Sequence, residues 1–353
     1  MKSDLVIIGG GIIGLYSAYL LAQRGINITL IDRGEFGKES SWVAGGILTP
    51  LLPWDYQKQV LLLTANSSNE YDTLANRLLV QTNIDIEYWK CGLTIFGRCS
   101  DSIQDWCINH KLKYEHSNDL QRQHFHLPEI AQVRMPKVIK ALIKSLNENN
   151  VTLLSNTSVN NLHLKNNQVV AIDTSIGNIK THKAIWANGA WLPELANSTH
   201  AAHIPSITPI KGQVIAIQAI PGLLNHITYH NGHYLIPRKD GLIIAGSTLE
   251  KVGYDKSITN IARDALWENS ISMLPELSKF PIVHQWAGLR PGSPNNIPTI
   301  GPHPEIKGLY LSCGHFRYGV AMAPESAHII CKWIMDSGDS LSQDERDFAI
   351  QNY

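Results

Sequence analysis

The sequence lacks an excess of charge of either sign, a C-x-x-C pair and any low-complexity segment. Its 353 residues carry 30 basic and 30 acidic side chains, so the formal net charge is zero. A chain without a clustered basic face is not drawn to nucleic acid or to anionic membranes. Five cysteines, an odd number, form no evident disulfide framework and are typical of a reducing compartment. We therefore expect a cytoplasmic protein with no nucleic-acid partner.

One long uncharged run raises the alternative of a membrane span. Leu5 to Ala22 is 18 residues without a charge, which is long enough for a helix to cross a bilayer. Glycines from Gly9 to Gly14 interrupt this run and separate a short strand from a helix. We predict a strand over 5–8, a helix over 13–24 and a second strand over 26–31. No stable membrane insertion is expected.

The glycines form the pattern G-x-G-x-x-G between the predicted strand and helix. Gly9 permits the tight turn, Gly11 lets the backbone approach a pyrophosphate, and Gly14 lets the helix pack closely on the strand. The helix N-terminus offers free N–H groups and a partial positive charge to phosphates. Asp32 follows Gly14 by 18 positions, where a carboxylate can accept hydrogen bonds from ribose hydroxyls. This order of elements predicts a dinucleotide-binding unit.

Later segments predict the rest of the architecture. One helical stretch is expected from Asp55 to about Leu79. The β-rich region after it contains hairpin turns at Asn231-Gly232 and at Lys239-Asp240-Gly241. Cys313 to Gly319 is a second glycine turn, and an apolar helix is expected from about Ala323 to Met335. The chain thus ends as it begins, with a strand, a glycine turn and a helix.

Two groups of histidines raise the question of a metal site. His226, His230 and His233 have a spacing that would bind zinc on a helix, but their neighbours are β-formers and a turn. His124 and His126 alternate on a predicted strand without a further ligand. We expect no metal site from either group.

The fingerprint alone does not separate NAD from FAD. Glycine turns at Ala187-Asn188-Gly189 and from Gly314 to Gly319 would extend contact toward a larger cofactor. The sequence has no second G-x-G-x-x-G for a separate NAD(P)H domain, so the electrons should come from the organic substrate. These features favour FAD.

Six blocks of the sequence resemble the D-amino acid oxidase family of FAD enzymes, and within it the glycine oxidase branch. The runs Trp-Ala-Gly-Leu-Arg-Pro-Gly and Gly-His-Phe-Arg-x-Gly are specific to that branch. The blocks are Asp4 to Asp32, Ser40 to Ile47, Ala184 to Trp191, Tyr234 to Arg238, Trp286 to Gly292 and His315 to Gly319.

This resemblance implies an α/β (α+β) fold with two domains. A Rossmann-like FAD-binding domain is joined to a smaller substrate domain that is built on an antiparallel sheet. We place the discontinuous FAD-binding domain at residues 1–78, 130–205 and 296–353, and the substrate-binding domain at 79–129 and 206–295.

The resemblance also implies the site residues. Tyr234, Arg290 and Arg317 match the residues that hold the substrate and are the candidate catalytic residues, while Leu249 stands where a methionine lines the pocket. No cysteine lies where related sarcosine oxidases attach flavin, so non-covalent FAD is expected. The implied FAD contacts, with Gly189 added from its glycine turn, are Gly9, Gly11, Ile12, Ile13, Gly14, Asp32, Arg33, Ser40, Ser41, Gly45, Gly46, Ile47, Val159, Gly189, His315, Phe316, Arg317, Tyr318, Gly319, Val320 and Ala321.

The implied activity is oxidative deamination of glycine, small (D-)amino acids or secondary amines. Hydride passes to flavin, the imine is released and O₂ is reduced to H₂O₂; supply of iminoglycine for thiamine thiazole synthesis is one implied role. Three alternatives stay open: a D-amino acid dehydrogenase that passes electrons to quinone, an FAD-dependent tRNA-modification enzyme, and a flavin-binding protein without turnover. The preferred substrate, the electron acceptor and the oligomeric state, a homo-oligomer included, also stay open.

Overall fold

The computed structural model describes residues 1–97, 101–117 and 124–350 of the chain. The α-helices in these ranges are α1 (Ile12–Ala22), α2 (Ser40–Val43), α3 (Lys58–Thr64), α4 (Ser67–Thr82), α5 (Asp101–Asn109), α6 (Met135–Glu148), α7 (Leu192–Thr199), α8 (Asn260–Met273), α9 (Gly319–Asp336) and α10 (Gln343–Arg346). Short 3₁₀ turns cover Pro53–Asp55, Gly189–Trp191, Pro275–Lys279 and Pro294–Asn296.

The strands of the same ranges are β1 (Leu5–Ile8), β2 (Ile28–Ile31), β3 (Trp89–Lys90), β4 (Leu93–Phe96), β5 (Glu115–Ser117), β6 (His124–Leu127), β7 (Ala131–Gln132), β8 (Thr152–Leu154), β9 (Val159–Lys165), β10 (Gln168–Thr174), β11 (Gly177–Lys180), β12 (Ala184–Trp186), β13 (Thr208–Gln218), β14 (Ile227–His230), β15 (His233–Pro237), β16 (Leu242–Gly246), β17 (Ile282–Gly292), β18 (Thr299–Pro302) and β19 (Leu309–Cys313).

A largely parallel sheet contains the beginning of the chain. We call it sheet A; its strand order is β18-β19-β12-β1-β2-β8. β1 lies between β12 and β2, so that Val6 is opposite both Ala184 and Thr29. Leu5 and Ile7 pack in one core with α1, α6 and α9, while Val6 and Ile8 pack in another with β9–β11 and α7. Burial on both faces explains why β1 is apolar throughout, and the predicted strand-helix-strand unit is confirmed.

A mostly antiparallel sheet forms the second half of the architecture. We call it sheet B; its strand order is β17-β13-β16-β15-β14-β4-β6-β5. The predicted hairpins are confirmed: Asn231-Gly232 joins β14 to β15, and the turn at 239–241 joins β15 to β16. α8 covers one face of the sheet and packs on Ile215, Leu235 and Ala245. The expected mixed fold, with a parallel and an antiparallel sheet, is therefore confirmed.

The predicted helix from Asp55 to Leu79 is wrong in detail, because two helices, α3 and α4, occupy this stretch. Asn66 interrupts them with a non-helical conformation, φ −103° and ψ 7°. Its side chain exchanges hydrogen bonds with Asn69 and Glu70 in the first turn of α4. Asparagine favours such local bonds over a helical interior.

The uncharged run at the start of the chain is divided between β1, the glycine turn and α1, which is 11 residues long. In the part of the chain that the structure describes, no helix is both long and apolar enough to cross a membrane.

Candidate active site

A cavity of about 450 Å³ connects the carboxyl ends of sheet A with one face of sheet B. Ile8, Ile31 and Cys313 line it from the ends of β1, β2 and β19. Val214 and Tyr234 line it from β13 and β15 of sheet B. Ligands of open α/β sheets bind beyond the carboxyl ends of the strands, and this cavity has that position.

Most of the sequence-predicted site residues line this cavity. On the cofactor side they are Gly9, Gly11, Ile12, Ile13, Asp32, Arg33, Ser40, Ser41, Gly45, Gly46, Ile47, Val159, Gly189, His315, Phe316, Arg317, Tyr318, Gly319 and Val320. The substrate-side residues Tyr234 and Arg290 line it as well. The structure thus brings the two predicted groups together, and their roles as ligands stay predictions.

Three predicted residues lie outside the lining. Gly14 packs in the turn, where an added Cβ would be 1.9 Å from the carbonyl oxygen of Gly9. Ala321 is fully buried inside α9. Leu249 is 53% exposed, and its neighbours Thr248 and Glu250 hydrogen-bond to β13. Leu249 as a pocket residue stays a prediction.

The glycine turn of the fingerprint makes the first part of the cavity wall. Gly9 has a φ of +110°, and a Cβ there would lie 2.4 Å from the carbonyl oxygen of Ala187 at the end of β12. Only glycine therefore lets β1, β12 and α1 come this close. Ser41 Oγ accepts a hydrogen bond from the backbone N–H of Ile12 at 2.9 Å, so this residue also fixes the start of α1.

Asp32 lies at the end of β2 and holds the loops around it. Its carboxylate accepts hydrogen bonds from the backbone N–H groups of Gly10 at 2.7 Å and Gly34 at 2.8 Å. A carboxylate has further acceptor sites, which suit the predicted ribose contact. The adjacent Arg33 guanidinium lies 4.2 Å from the ring centroid of Trp191, another residue of the cavity wall.

On sheet B, two glycines make room for the polar side chains of the substrate side. Tyr234 lies opposite Gly246, where an added Cβ would be 2.6 Å from the tyrosine hydroxyl oxygen. A Cβ on Gly212 would lie 2.2 Å from Nη1 of Arg290. Without these two glycines, neither side chain could lie flat over the sheet.

The guanidinium of Arg290 is held by uncharged oxygens. It donates to the carbonyl oxygen of Thr248 at 3.2 Å and to Oγ of Ser247 at 2.8 Å. Burial lowers the pKa of Arg290, and the positive charge of Arg317 acts in the same direction, while a hydrogen bond with Tyr234 opposes the shift. A carboxylate that entered here would stabilise the cation, and a guanidinium can bind it through two parallel hydrogen bonds.

The turn from β19 to α9 supplies a further part of the cavity wall, near Arg290. The backbone N–H of Phe316 donates to the carbonyl oxygen of Pro291, and that of Arg317 donates to Oδ1 of Asn296, both at 3.1 Å. Phe316 has a φ of +39°. These bonds tie the turn to the end of β17 and to the 3₁₀ turn that follows it, and the first residues of α9 line the cavity.

Two groups in this turn are not reactive. His315 is 3% exposed, shares a hydrogen bond with Ser326 Oγ at 3.0 Å, and burial lowers its pKa to about 3. Burial raises the pKa of the Cys313 thiol to about 12. His315 is thus a neutral packing group and Cys313 stays protonated near neutral pH.

Several residues in and around the site were not predicted from the sequence. Arg238 is 7% exposed, and burial lowers its pKa to about 10. It donates to the carbonyl oxygens of Gly45 at 2.9 Å and Val133 at 3.2 Å, and to Gln132. It therefore fixes the backbone at Gly45, one of the predicted cofactor residues. An arginine directly after an apolar strand was a usable signal, since a buried guanidinium needs acceptors.

Ser312 was also not predicted, and Asn188 was named only as part of a glycine turn. Both line the cavity, and Asn188 Oδ1 and Ser312 Oγ are buried without a hydrogen-bond partner among the described residues. Buried polar atoms without partners are costly and point to a ligand or water. Together with the glycine turn and Asp32 they fit a bound dinucleotide such as FAD.

The histidine groups do not converge on a metal. His226 hydrogen-bonds the carbonyl oxygen of Cys91, and His230 that of Phe96. Across the described ranges no three histidine, cysteine, aspartate or glutamate side chains are grouped so that they could hold a metal ion.

Comparison with known proteins also indicates an FAD-binding protein. A family model described as "DAO: FAD dependent oxidoreductase" matches residues 4–333. The chain is 36% identical over 346 residues to the glycine oxidase of Pseudomonas aeruginosa, with 94% of each chain covered. It is 29% identical to the bifunctional protein ThiO/ThiG of Trichormus variabilis, where the match covers 95% of this chain and 53% of the relative.

A solved structure agrees with these sequence matches. The crystal structure of glycine oxidase from Bacillus cereus superposes with a TM-score of 0.89 at 26% identity, over 100% of this chain and 99% of that one. The resemblance predicted from the six sequence blocks is therefore confirmed. The chain belongs to the DAO family of FAD-dependent oxidoreductases.

Proposed function

We propose that the protein oxidises glycine or another small amino acid, with secondary amines such as sarcosine as further substrates. The observation that carries this proposal is the guanidinium of Arg290, held beside Tyr234 in the FAD cavity by uncharged oxygens. A small carboxylate is the ligand that this arrangement fits. Glycine oxidases among the relatives support the substrate class.

The residues of the chain would bind and orient the substrate. Arg290 pairs with the carboxylate through two hydrogen bonds, and the Tyr234 hydroxyl donates a further one. Arg317 adds positive charge at the same end of the cavity. The substrate amine must be neutral at the moment of transfer, because an ammonium has no lone pair to form an imine. No side-chain base is required.

The cofactor supplies the redox chemistry. When bound, FAD would supply a two-electron acceptor for the hydride on the substrate Cα and a route for both electrons to O₂, so that amine and O₂ would become imine and H₂O₂. Gly9, Asp32, Asn188 and Ser312 are the described residues that we expect to hold it. The likeness to a ThiO/ThiG protein supports supply of the imine to thiamine thiazole synthesis as the role.

An anaerobic screen tests this proposal. The FAD-loaded protein is mixed with glycine, sarcosine and D-amino acids, and the absorbance of oxidised flavin is followed. We expect glycine or sarcosine to bleach the flavin, and air to restore the colour with formation of H₂O₂. Slow recovery in air and rapid recovery with a quinone would instead favour a D-amino acid dehydrogenase. Bleaching by none of the amines would contradict the proposal.

A further inference from the structure

A buried lysine outside the proposed chemistry holds the segment that contacts Arg290. Lys211 on β13 is 2% exposed. Its Nζ lies 3.1 Å from a carboxylate oxygen of Glu250, 3.1 Å from one of Asp255 and 3.2 Å from the carbonyl oxygen of Ser257. A buried ammonium is costly unless such partners surround it. All three belong to residues 247–257, which follow β16 and which we call the strap.

Lys211 and Arg290 lie on opposite faces of sheet B. Ile210 is the register partner of Arg290, and Gly212, two residues along, leaves room for the guanidinium. Since side chains alternate along a strand, Lys211 and Gln213 project from the reverse face. Lys211 therefore cannot touch a substrate in the cavity, and any effect on Arg290 must pass through the strap.

The near end of the strap joins the two faces. Glu250, which Lys211 holds, accepts a hydrogen bond from Thr248 Oγ1 at 2.5 Å and from Gln213 Nε2 at 2.9 Å. The backbones of Lys211 and Glu250 also exchange hydrogen bonds at 2.9 and 3.0 Å. The carbonyl oxygen of Thr248 then accepts from Arg290. Lys211 is thus connected to the Arg290 guanidinium through Glu250 and Thr248.

The far end of the strap reaches the cofactor side of the cavity. The ring of Tyr254 lies 6.2 Å from that of Trp191, and its hydroxyl donates to the carbonyl oxygen of Ala190 at 3.3 Å. Lys256 forms an ion pair with Glu39 at 3.1 Å. Trp191 and Glu39 both line the cavity. Lys211 contacts the strap near both of its ends, because it binds residues 250, 255 and 257.

We propose that Lys211 is a positioning residue: it fixes the strap, and the strap holds Arg290 in the orientation that binds the substrate carboxylate. This inference rests on the proposed function for the identity of the carboxylate. The anchoring of the strap itself does not depend on the substrate.

Replacement of Lys211 by methionine in the FAD-loaded protein tests the inference. Methionine keeps most of the side-chain length and removes the charge. We expect faster backbone hydrogen exchange across 247–257 and at least about tenfold weaker binding of glycolate, the hydroxyl analogue of glycine, read from the flavin spectrum. KM for glycine should rise while kcat at saturation stays unchanged.

Lys251→Met is the matched control, because Lys251 is an exposed lysine of the same strap. We expect wild-type exchange and wild-type glycolate binding for this variant. Glu250→Gln is the second test if Lys211→Met does not fold, since it weakens the same contact at a half-buried position. Glu250→Gln should raise the glycolate dissociation constant, as Lys211→Met does.

The outcomes separate this inference from the proposed function. Unchanged exchange across the strap, or unchanged glycolate binding in both Lys211→Met and Glu250→Gln, would overturn the role of Lys211. A wild-type protein that binds neither glycine nor glycolate would instead contradict the carboxylate site. In that case faster exchange in Lys211→Met still supports the anchor, and unchanged exchange overturns it.

Discussion

Arg290 is a cation in a half-buried site whose hydrogen-bond acceptors, Ser247 and Thr248, are uncharged. Burial and the nearby Arg317 both lower its pKa. A carboxylate ligand would offset the cost of burying this positive charge. Loss of the guanidinium should therefore affect substrate binding far more than the fold.

We predict that Arg290→Ala weakens binding of glycine or glycolate by about 2–5 kcal/mol and leaves a yellow, FAD-loaded protein. Dissociation constants from flavin spectra measure the effect. Arg263→Ala is the control, because Arg263 lies on the surface of α8 and pairs with Asp264. Equal binding in the Arg290 variant and wild type would mean that the carboxylate is held elsewhere.

His315 gives the protein a pH-dependent stability. Its pKa is about 3 in the folded chain because of burial, against 6.5 for a free histidine. Below pH 6.5 the unfolded chain binds a proton that the folded chain does not. This contribution is therefore fully present above pH 6.5 and is lost as the pH falls toward 3, by roughly 1.4 kcal/mol per pH unit.

We predict that His315→Asn reduces the fall in the thermal unfolding midpoint between pH 7 and pH 5. Asparagine carries no titrating group and keeps a polar side chain at this position. The exposed His163 on β9 provides the control, and His163→Asn should keep the wild-type difference between the two pH values. A His315 variant with the wild-type difference would contradict the prediction.

The contact between β1 and α1 shows how one element positions another. An added Cβ at Gly14 would lie 1.9 Å from the backbone oxygen of Gly9, which cannot move aside as a flexible side chain would. The helix would have to move away from the strand, and the first turn of α1 would leave its place beside the cavity.

We therefore predict that Gly14→Ala weakens FAD binding by about 10- to 100-fold, measured by titration of the apoprotein with FAD. Gly25→Ala is the matched control at the other end of the helix. Gly25 has a φ of +78° and no atom within 4 Å of an added Cβ. Gly25→Ala should lose about 1 kcal/mol of stability and keep its affinity for FAD. Equal losses of FAD affinity in Gly14→Ala and Gly25→Ala would show that the close contact at Gly14 is not what places the helix for FAD binding.

The helix α9 begins at Gly319, four residues before the predicted start. Pro324 lies inside it and has no N–H for the carbonyl oxygen of Val320, the usual partner four residues earlier. The hydroxyl of Tyr71, a fully buried residue of α4, donates to this oxygen at 3.0 Å. A tertiary contact thus replaces the missing helical bond.

We predict that Tyr71→Phe lowers the free energy of unfolding by about 1–3 kcal/mol, because it leaves the buried carbonyl without this donor. Pro324→Ala supplies an N–H for the same oxygen. Tyr71→Phe should therefore lower the free energy of unfolding by less when Pro324 is replaced by alanine as well. Denaturant unfolding measures both values. If Tyr71→Phe lowers the free energy of unfolding equally with proline or alanine at position 324, the N–H of residue 324 does not substitute for the Tyr71 hydroxyl.

At the scale of the whole molecule, the cavity is assembled from residues between Ile8 and Val320. The division into an FAD-binding domain at 1–78, 130–205 and 296–353 and a substrate domain at 79–129 and 206–295 stays a proposal. Sheet A and sheet B each supply one side of the cavity.

We predict that FAD is held without a covalent bond. Cys313 lines the cavity, but burial raises the pKa of its thiol to about 12, and a protonated thiol is a poor nucleophile. Acid precipitation should leave the flavin in the supernatant and a colourless pellet. Flavin retained in the pellet would contradict this, and Cys313→Ala would then show whether this residue is the attachment point.

Local patterns were sufficient for part of the structure. The β1-α1-β2 unit follows from apolar runs and glycine spacing, and the hairpin at Asn231-Gly232 follows from turn chemistry that neighbouring residues dictate. The break at Asn66 also had a local cause, although the helical period around it hid the signal.

The dinucleotide unit, the mixed fold and the family could be predicted from the order of residues along short segments. The way in which Arg290 is held could not, since its acceptors lie more than 40 positions earlier in the chain. The three-dimensional packing alone shows that Lys211 lies on the reverse face of sheet B and that Tyr71 bonds to a backbone carbonyl oxygen of α9. Contacts between distant segments depend on packing and register, and no local pattern encodes them.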